Sequence, residues 1–239
     1  MAGRPFFISH FFMTHTNSLK PSTLILSVGG SLVVPNGGID TDFLQGFKQL
    51  IHKHVKKGWR FVIVVGGGGT ARQYQQAARS IGKLERDDID WLGIHSTRLN
   101  GHLLRTVLRD VAHPMMIKNP TCPLKQWTEP VLVVAGWKPG WSTDYVAIRL
   151  AKRLQANLVV NLSNIDYVYD KDPNTYKDAK AICAIDWNAF REMVGDEWDP
   201  GMNVPFDPVA SRLAHQNNMK VALLNGKNIK NLDGLLSGK

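Results

Sequence analysis

The segment FVIVVGGGGT, residues 61–70, is the clearest indication of the fold class of this chain. Its five consecutive apolar residues predict a strand buried on both faces, as the strands of parallel sheets are. Four glycines follow at once, and the next residues, among them Ala71, Tyr74 and Ile81, have the spacing of a helix. A buried strand that passes through a glycine turn into a helix is half of a βαβ unit.

The same alternation continues on both sides of this segment. Further strands are predicted at residues 24–28, 131–135, 158–160 and 221–224. Helices are predicted to begin at polar caps, which are Asp40 or Thr41, Ser96, and Ser142 or Thr143. Strands that alternate with helices indicate a parallel sheet covered on both sides. The sequence therefore predicts an α/β fold, a three-layer αβα sandwich with a mainly parallel central sheet.

Two of these helices carry more specific expectations. Leu99 and Leu104 are expected to face the core from the helix that Ser96 caps. His52 and His54 lie two positions apart on an earlier helix, so they point to different faces and do not form a metal pair. Both histidines are expected at the surface, and the sequence predicts no resident metal site.

The composition narrows the classes of partner. The chain has 239 residues and a net charge of +9, which suits one large α/β domain with an anionic partner. Because its lysines and arginines are scattered rather than gathered beside stacked aromatic residues, a phosphorylated small molecule is favoured over nucleic acid. Cys122 and Cys183 are too few for a disulfide framework, which indicates a cytoplasmic protein.

The chain is predicted to hold one domain behind a short extension. Residues 1–20 are expected to form a disordered extension, and residues 21–239 a single domain. The extension contains a phenylalanine-rich stretch, which is too short and too interrupted to span a membrane. No other segment of the sequence is apolar enough to do so, and the sequence predicts no membrane partner.

Four of the predicted strands end in polar or glycine-rich loops. These loops are residues 29–31, 66–70, 136–144 and 161–166. In open parallel sheets, ligands bind beyond the carboxyl ends of the strands. The four loops are therefore expected at one edge of the molecule, where they would form a common ligand site.

The glycine loop at residues 66–69 is predicted to bind an anion. It presents N–H groups that no side chain covers, at the positive end of a helix. Arg72 lies one turn into that helix and can return to the same anion with its guanidinium fork. The spacing GxxxxGK[ST] is missing, which excludes a P-loop. Residues 66–71 formally match a dinucleotide fingerprint, which leaves an oxidoreductase open as an alternative.

The loop at residues 136–144 is predicted to bind a ligand with a flat ring. One proline and two glycines indicate a rigid loop, and it carries Trp137, Lys138 and Trp141. Tryptophans in a loop can stack on a base. Ser142 or Thr143 would cap the next helix whatever the function.

The turn-rich residues 161–173 add further groups for a nucleoside triphosphate. Tyr169 could pack on adenine, and Asp172 could accept a hydrogen bond from the ribose. Asp166 could face metal-bound phosphates, because Mg²⁺ prefers one or two carboxylates together with phosphate oxygens. Asp and Asn in turns also serve simply to satisfy backbone donors, so a structural role stays open here.

Short motifs in a fixed order carry a resemblance to a known family. They are SVGGSL (27–32), VVGGG (64–68), TRLN (97–100), PGWSTD (139–144), NID (164–166), VY (168–169), DP (172–173) and DPVA (207–210). As an ordered set they resemble the amino-acid-kinase superfamily, and within it the archaeal-type uridylate (UMP) kinases. The similarity runs from about residue 23 to about residue 236.

The resemblance implies a kinase that transfers the γ-phosphoryl group of ATP, bound with Mg²⁺, to UMP. Together with the loop chemistry it predicts ATP contacts at Gly29, Gly30, Ser31, Gly67, Arg72, Ser163, Asn164, Tyr169 and Asp172. It predicts UMP contacts at Gly66, Asp90, Arg98, Gly136, Trp137, Lys138, Pro139, Gly140, Trp141, Ser142, Thr143 and Asp144. Arg72, Lys138 and Asp166 are the predicted catalytic residues.

The resemblance also implies an organisation. Residues from about 21 to 150 would form the acceptor-binding lobe, and residues from about 151 to 239 the ATP-binding lobe. The family commonly assembles as hexamers, so a homo-oligomer, or a hetero-oligomer with a paralogue, is expected.

Three positions depart from the family pattern, and one of them is Tyr167, where glycine is usual. Ser27 stands where many members have lysine, and Gly69 stands where a lysine often follows three glycines. Two further hypotheses therefore stay open. One is a kinase for another small phosphorylated or carboxylated acceptor, and the other is a non-catalytic protein resembling molybdate or tungstate storage subunits.

Overall fold

The computed structural model describes residues 6–8, 19–36, 38–122, 127–165, 168–171, 175–197 and 204–238. The strands are β1 Phe6–Ile8, β2 Thr23–Val28, β3 Arg60–Val65, β4 Val131–Val134, β5 Leu158–Ser163, β6 Val168–Tyr169, β7 Ala181–Ile182, β8 Ala184–Ile185 and β9 Lys220–Asn225. The helices are α1 Gly30–Val33, α2 Thr41–Val55, α3 Gly68–Ile81, α4 Arg86–Val107, α5 Thr143–Arg153, α6 Trp187–Val194, α7 Pro208–Gln216 and α8 Ile229–Leu236.

A seven-stranded sheet forms the middle layer, in the order β4-β3-β2-β5-β9-β1-β8. The five strands from β4 to β9 all run parallel to their neighbours. β1 pairs antiparallel with β9 and parallel with β8, while β6 and β7 form a separate two-stranded sheet. The prediction of a mainly parallel α/β sheet is confirmed.

Helices cover both faces of this sheet. Along β2, Leu24 and Leu26 belong to a core with residues of α1, α2, α4 and α8. Ile25 points the other way, into a core with residues of α5, α6 and α7. Successive residues of a strand face opposite sides, so one continuous apolar strand supplies both cores. This confirms the three-layer αβα architecture.

The long helix α4 differs from the prediction at its start. It begins at Arg86, and Ser96 lies in its interior, where its hydroxyl donates to the carbonyl of Leu92 at 2.8 Å. Asp87 and Asp88 occupy the first turn, where carboxylates stabilise a helix through its dipole. The prediction that Leu99 faces the core is also wrong, because 65% of this residue is exposed.

Two other expectations differ from the structure. Residues 1–20 were expected to be disordered, yet Phe6–Ile8 form β1, in agreement with the strand propensity of Phe and Ile. His54 was expected at the surface but is fully buried. Its Nε2 lies 2.8 Å from Asp233 Oδ1, which joins α2 to α8. Burial lowers the pKa of His54, and the hydrogen bond with Asp233 opposes that shift.

Candidate active site

The register of the sheet brings the predicted loops to one edge. Val28 at the end of β2 pairs with Val65 at the end of β3 and with Leu162 near the end of β5. Val64 pairs with Val134, the last residue of β4. The segments that follow these four adjacent strands therefore begin side by side at the carboxyl edge of the sheet.

The two glycine loops pack directly on each other. A Cβ on Gly30 would overlap the backbone of Gly66 and Gly68, and Gly68 has a φ of +61°, in the left-handed region. The Gly29 N–H donates to the Leu162 carbonyl at 2.7 Å, and the Gly66 N–H to the Val28 carbonyl at 2.9 Å. These bonds hold the loops to the ends of β5 and β2, so the backbone N–H groups of Gly29 and Gly66 have structural partners.

The start of α3 keeps free donors in this packed region. Gly67 is the N-cap of α3, and no side chain caps this end. Within the described ranges, no hydrogen bond uses the N–H groups of Gly67 and Gly68. Unpaired N–H groups at a helix start, together with the helix dipole, favour an anion.

Arg72 and Ser31, which the sequence predicts on the same ligand, lie together. The Nη1 group of Arg72 donates to Ser31 Oγ at 3.0 Å, and its Nη2 group donates to Asn36 Oδ1 at 2.9 Å. Sequence reasoning missed Asn36, which stands among the turn residues between β2 and α2. Its short amide side chain in a loop gave no signal beyond that of an ordinary turn. The guanidinium is exposed, and it is positioned by Ser31 in α1 and by Asn36, which follows that helix.

A side chain of helix α4 holds the glycine loop by its carbonyl groups. Asn100 is buried, and its Nδ2 donates to the carbonyls of Gly66 and Gly67 at 2.9 and 3.0 Å. The sequence motif TRLN contains this residue, but nothing in the sequence alone indicates which backbone it holds. These two bonds leave the N–H side of the loop facing away from α4.

The same helix holds the loop that follows β4. Arg98 donates to the carbonyls of Gly136 and Trp137 at 3.3 and 2.9 Å. Asp90 accepts from the Gly140 N–H at 2.7 Å, and burial raises the pKa of Asp90 despite this bond. The structure therefore brings Asp90, Arg98 and the loop together. In this arrangement the guanidinium of Arg98 binds backbone carbonyls, so its direct role is to position the loop.

An aromatic cluster with two cations occupies this loop. Trp137 and Trp141 meet edge to face with ring centroids 4.6 Å apart, and Trp141 meets Tyr145 in the same way at 4.7 Å. Lys138 Nζ lies 4.7 Å from the ring centroid of Trp137 and 5.5 Å from that of Trp141. Arg149 lies over Trp141 at 5.5 Å. Such contacts hold a cation beside rings that could otherwise stack on a ligand.

Asp144 lies at the junction of this loop with the middle of the sheet. Ser142, one of the two residues predicted as the cap, caps α5 by accepting from the Tyr145 N–H at 3.0 Å. Asp144 Oδ1 then accepts from Ser27 Oγ and from Asn161 Nδ2, both at 2.8 Å. The hydroxyl at position 27 thus contacts the carboxylate directly. Burial raises the pKa of Asp144, and these hydrogen bonds partly offset that shift.

A second carboxylate, Asp207, faces Asp144. Asp207 is buried and caps α7 by accepting from the Ala210 N–H. Its own N–H approaches Asp144 Oδ2 at 3.4 Å. Burial raises the pKa of Asp207 to about 6, the negative charge of Asp144 adds to this shift, and hydrogen bonds from Ala210 and Ser142 oppose it.

Replacing Asp207 by Asn is expected to change how stability depends on pH. Because the folded pKa of about 6 exceeds the ordinary value of 3.8, the folded state holds this proton more tightly. The contribution of the Asp207 carboxyl group to the free energy of unfolding is therefore largest below pH 3.8 and falls as the pH rises to about 6. Asparagine at this position cannot titrate in this way, so the free energy of unfolding of Asp207→Asn minus that of the wild type should rise by up to about 3 kcal/mol between pH 3.8 and about 6.

Urea unfolding at several pH values between 4 and 8 measures this difference. Asp186→Asn makes the same change at the N-cap of α6, where the carboxylate is partly exposed and caps Asn188 and Ala189. That variant measures how much of any change comes from replacing a capping carboxylate by an amide in general. A difference that is flat for Asp207→Asn would contradict the prediction.

The remaining predicted residues lie in or beside the edge loops, in the separate sheet of β6 and β7, or outside the described part of the chain. Pro139 is half-buried in the loop, and Thr143 is the first residue of α5. Ser163 ends β5 and Asn164 follows it, exposed, while Tyr169 lies in β6. Asp166 and Asp172 fall outside the described residues.

Relatives of this chain are found over nearly its whole length. Residues 22–225 match the model of the amino acid kinase family. A uridylate kinase from Thermoplasma volcanium is 34% identical over 219 residues, which are 91% of this chain and 94% of that protein. A uridylate kinase from Hyperthermus butylicus is 33% identical over 217 residues, which are 90% of this chain and 94% of that protein.

A solved structure agrees with these relatives. The crystal structure of a uridylate kinase from Archaeoglobus fulgidus superposes with a TM-score of 0.72 at 27% identity. The match covers 87% of this chain and 94% of that one. The family match spans most of the sequence, and the fold and the edge loops agree with it. The chain belongs to the amino acid kinase family.

Proposed function

We propose that this protein is a UMP kinase, which transfers the γ-phosphoryl group of ATP to the phosphate of UMP and releases UDP and ADP. One observation carries the proposal. The candidate anion site at the start of α3 and the aromatic loop after β4 lie at the same edge of the sheet. Side chains of α4 hydrogen-bond to both of them. Full-length similarity to uridylate kinases supports the choice of acceptor.

The proposed reaction needs positioning and charge neutralisation more than covalent help. An oxygen of the UMP phosphate attacks the γ-phosphorus of ATP, and the bond to the oxygen that bridges to the β-phosphorus breaks. The N–H groups of Gly67 and Gly68 and the guanidinium of Arg72 would hold phosphate oxygens. Asn36 and Ser31 would keep Arg72 in place between turnovers.

The loop at residues 136–144 would hold the acceptor. Lys138 lies over the two tryptophan rings, from which its ammonium could move to a phosphate while a base stacks on the rings. Asp90 would position this loop through its bond with Gly140, and Arg98 through its bonds with Gly136 and Trp137. Neither side chain would touch the reacting atoms. This arrangement gives Lys138 a role in charge neutralisation and the tryptophans a role in recognition.

ATP would enter as its magnesium complex. Mg²⁺ is usually held by phosphate oxygens and one or two carboxylates. We assign the carboxylate role to Asp166 and the ribose contact to Asp172, following the family motif. The acceptor would then belong to residues 21–150 and ATP chiefly to residues 151–239, with Gly30, Ser31, Gly67 and Arg72 reaching across to the phosphates.

The setting of the reaction follows from the same proposal. Cys122 and Cys183 are both exposed and unpaired, which supports a reducing compartment such as the cytoplasm. Within the described ranges, no helix is both long enough and apolar enough to cross a membrane. We also propose that the protein works as a homo-oligomer.

A coupled assay of ADP release tests the function. Purified protein with MgATP is given UMP, CMP, AMP or GMP in separate reactions, and one reaction receives no acceptor. Turnover that depends on UMP and exceeds that with the other monophosphates supports the proposal. Turnover only with a different acceptor would make the protein another kinase on this fold. ATP binding without turnover on any acceptor would indicate a nucleotide-binding protein instead.

A further inference from the structure

One turn of α4 contacts both of the loops that carry the proposed substrate sites. Asn100 holds the glycine loop, with its Nδ2 group 2.9 Å from the Gly66 carbonyl oxygen and 3.0 Å from that of Gly67. Thr97 lies three positions earlier, on the same side of the helix, and its Oγ1 accepts from the Gly136 N–H at 2.8 Å. Asn100 is 2% exposed and Thr97 is 6% exposed. Both side chains are therefore held inside the protein, with their polar ends on backbone groups of the two loops.

A close approach of the helix brings these short side chains within reach of the loops. A Cβ on Gly101 would lie 2.6 Å from Met116 Sδ, 3.2 Å from Val65 Cγ1 and 3.6 Å from Ala135 Cβ. Val65 ends β3, and Ala135 directly follows β4. The missing Cβ thus lets α4 lie against the ends of both strands, one residue after Asn100.

The carbonyls that Asn100 holds belong to the same peptide groups as the donors of the candidate anion site. A trans peptide group is planar, and its C=O and N–H point in opposite directions. The carbonyl of Gly66 shares its peptide group with the N–H of Gly67, and the carbonyl of Gly67 shares its peptide group with the N–H of Gly68. These two N–H groups are the ones that no hydrogen bond uses in the described part of the chain. A single amide on one side of the loop therefore aims two N–H groups towards the other side.

We propose that Asn100 is a positioning residue of the phosphate site, and that Thr97 is its counterpart at the acceptor loop. Asn100 aims the N–H groups of Gly67 and Gly68 at phosphate oxygens. Its hydrogen bonds also polarise the two peptide groups, which makes each N–H a stronger donor. Thr97 holds Gly136, and because both side chains come from one turn of α4, they set the separation between the two sites.

The inference deepens the proposed function but rests on it only in part. Neither side chain touches a substrate, because each one binds backbone groups of a loop. The role of Asn100 requires only a ligand that carries phosphate groups. The role of Thr97 requires in addition that the acceptor is UMP.

Asn100→Leu removes the amide donors and keeps an uncharged side chain of similar shape. Calorimetric titration with MgATP measures the phosphate site without any turnover. The Kd for MgATP should rise by about 10-fold or more, because two N–H groups would lose their alignment with a charged ligand. Asn100→Ser offers one donor in place of two, and its Kd should lie between those of the wild type and Asn100→Leu.

Asn217→Leu is the matched control for this substitution. Asn217 Nδ2 also donates to a backbone carbonyl, that of Leu213, at 2.7 Å. It lies at the end of α7, near the start of β9 and so at the opposite edge of the sheet from the candidate site. This variant should bind MgATP as the wild type does. Circular dichroism checks that each variant is folded, and Asn100→Ser decides if Asn100→Leu is not.

Thr97→Val tests the other loop with a different readout. Valine has the shape of threonine without the hydroxyl group, so the Gly136 N–H loses its partner. The KM for UMP should rise by about 3-fold or more, since one hydrogen bond that holds the acceptor loop is lost. The Kd for MgATP should stay unchanged in this variant. Asn100→Leu, in contrast, should change the Kd for MgATP more than the KM for UMP.

The outcomes separate this inference from the proposed function. A folded Asn100→Leu variant with the wild-type Kd for MgATP would overturn the inference, even if the wild type phosphorylates UMP. Equal changes of both readouts in both variants would also overturn it, because they would indicate a general structural role. If the wild type bound MgATP but did not phosphorylate UMP, the proposed function would fail, while a weaker Kd in Asn100→Leu would still support the role of Asn100. A wild type that bound no MgATP would refute both.

Discussion

Arg72→Ala is expected to lower kcat/KM for UMP-dependent ADP release by about 100-fold or more. Arg72 is the exposed cation held beside the unpaired N–H groups at the start of α3, where the phosphates of both substrates would meet. Loss of one preorganised charge at such a site costs about 100- to 1,000-fold in rate. Arg72→Lys keeps the charge but loses the fork, so its activity should lie between the two. Steady-state kinetics with both substrates varied measures the effect.

The effect should be confined to activity. The hydrogen bonds of Arg72 with Ser31 and Asn36 are exposed, so their loss should change the free energy of unfolding by about 1 kcal/mol at most. Arg79→Ala removes an exposed arginine from the last turn of the same helix and should leave kcat/KM unchanged. If Arg72→Ala retained near wild-type kcat/KM, Arg72 would have no place in the phosphate site.

The strands and the layer architecture could be predicted because short-range patterns determine them. The five residues Phe61–Val65 are fully buried, as the run of five apolar residues predicted. Ser142 caps α5 as its position ahead of an apolar helix indicated. In both cases the residue's nearest neighbours in sequence set its role, so no knowledge of distant contacts was needed.

The errors fall where distant contacts decide. His54 is buried only because Asp233, from the last helix, gives its ring nitrogen a partner. Leu99 is exposed because it lies about 140° around the axis of α4 from Leu104, while Asn100 and Leu104 form the inner face. A helix that starts at Arg86 has no Ser or Asn cap to reveal it, and its first-turn carboxylates give a weaker signal.

The candidate site could be predicted in its parts but not in its connections. The glycine loop and Arg72 followed from known anion chemistry, and the structure places Ser31 beside Arg72. The pairing of Ser27 with Asp144 joins residues far apart in sequence, and no periodicity indicates it. The same holds for the position of Asn36 beside Arg72. Side chains that position other side chains leave little trace in a single sequence.

Gly30→Ala is expected to destabilise the protein by about 3 kcal/mol or more. The added Cβ would overlap backbone atoms of both Gly66 and Gly68. A side-chain rotation cannot relieve a clash with backbone, so one of the two loops must move. Because Gly30 has no positive φ, the expected cost is steric rather than conformational. Urea unfolding measures it as a lower midpoint with an unchanged m-value.

The comparison with Gly82→Ala separates that clash from the ordinary effect of replacing a glycine. Gly82 follows α3 in an extended conformation, and a Cβ there would meet no atom within 4 Å. Such a substitution should stabilise by about 0.4–1 kcal/mol, because it restricts only the unfolded chain. If both variants behaved alike, the two glycine loops would not be pressed together in solution. The N–H groups of Gly67 and Gly68 would then lose the support that holds them in one place for a phosphate, so this comparison also tests the geometry on which the proposed transfer depends.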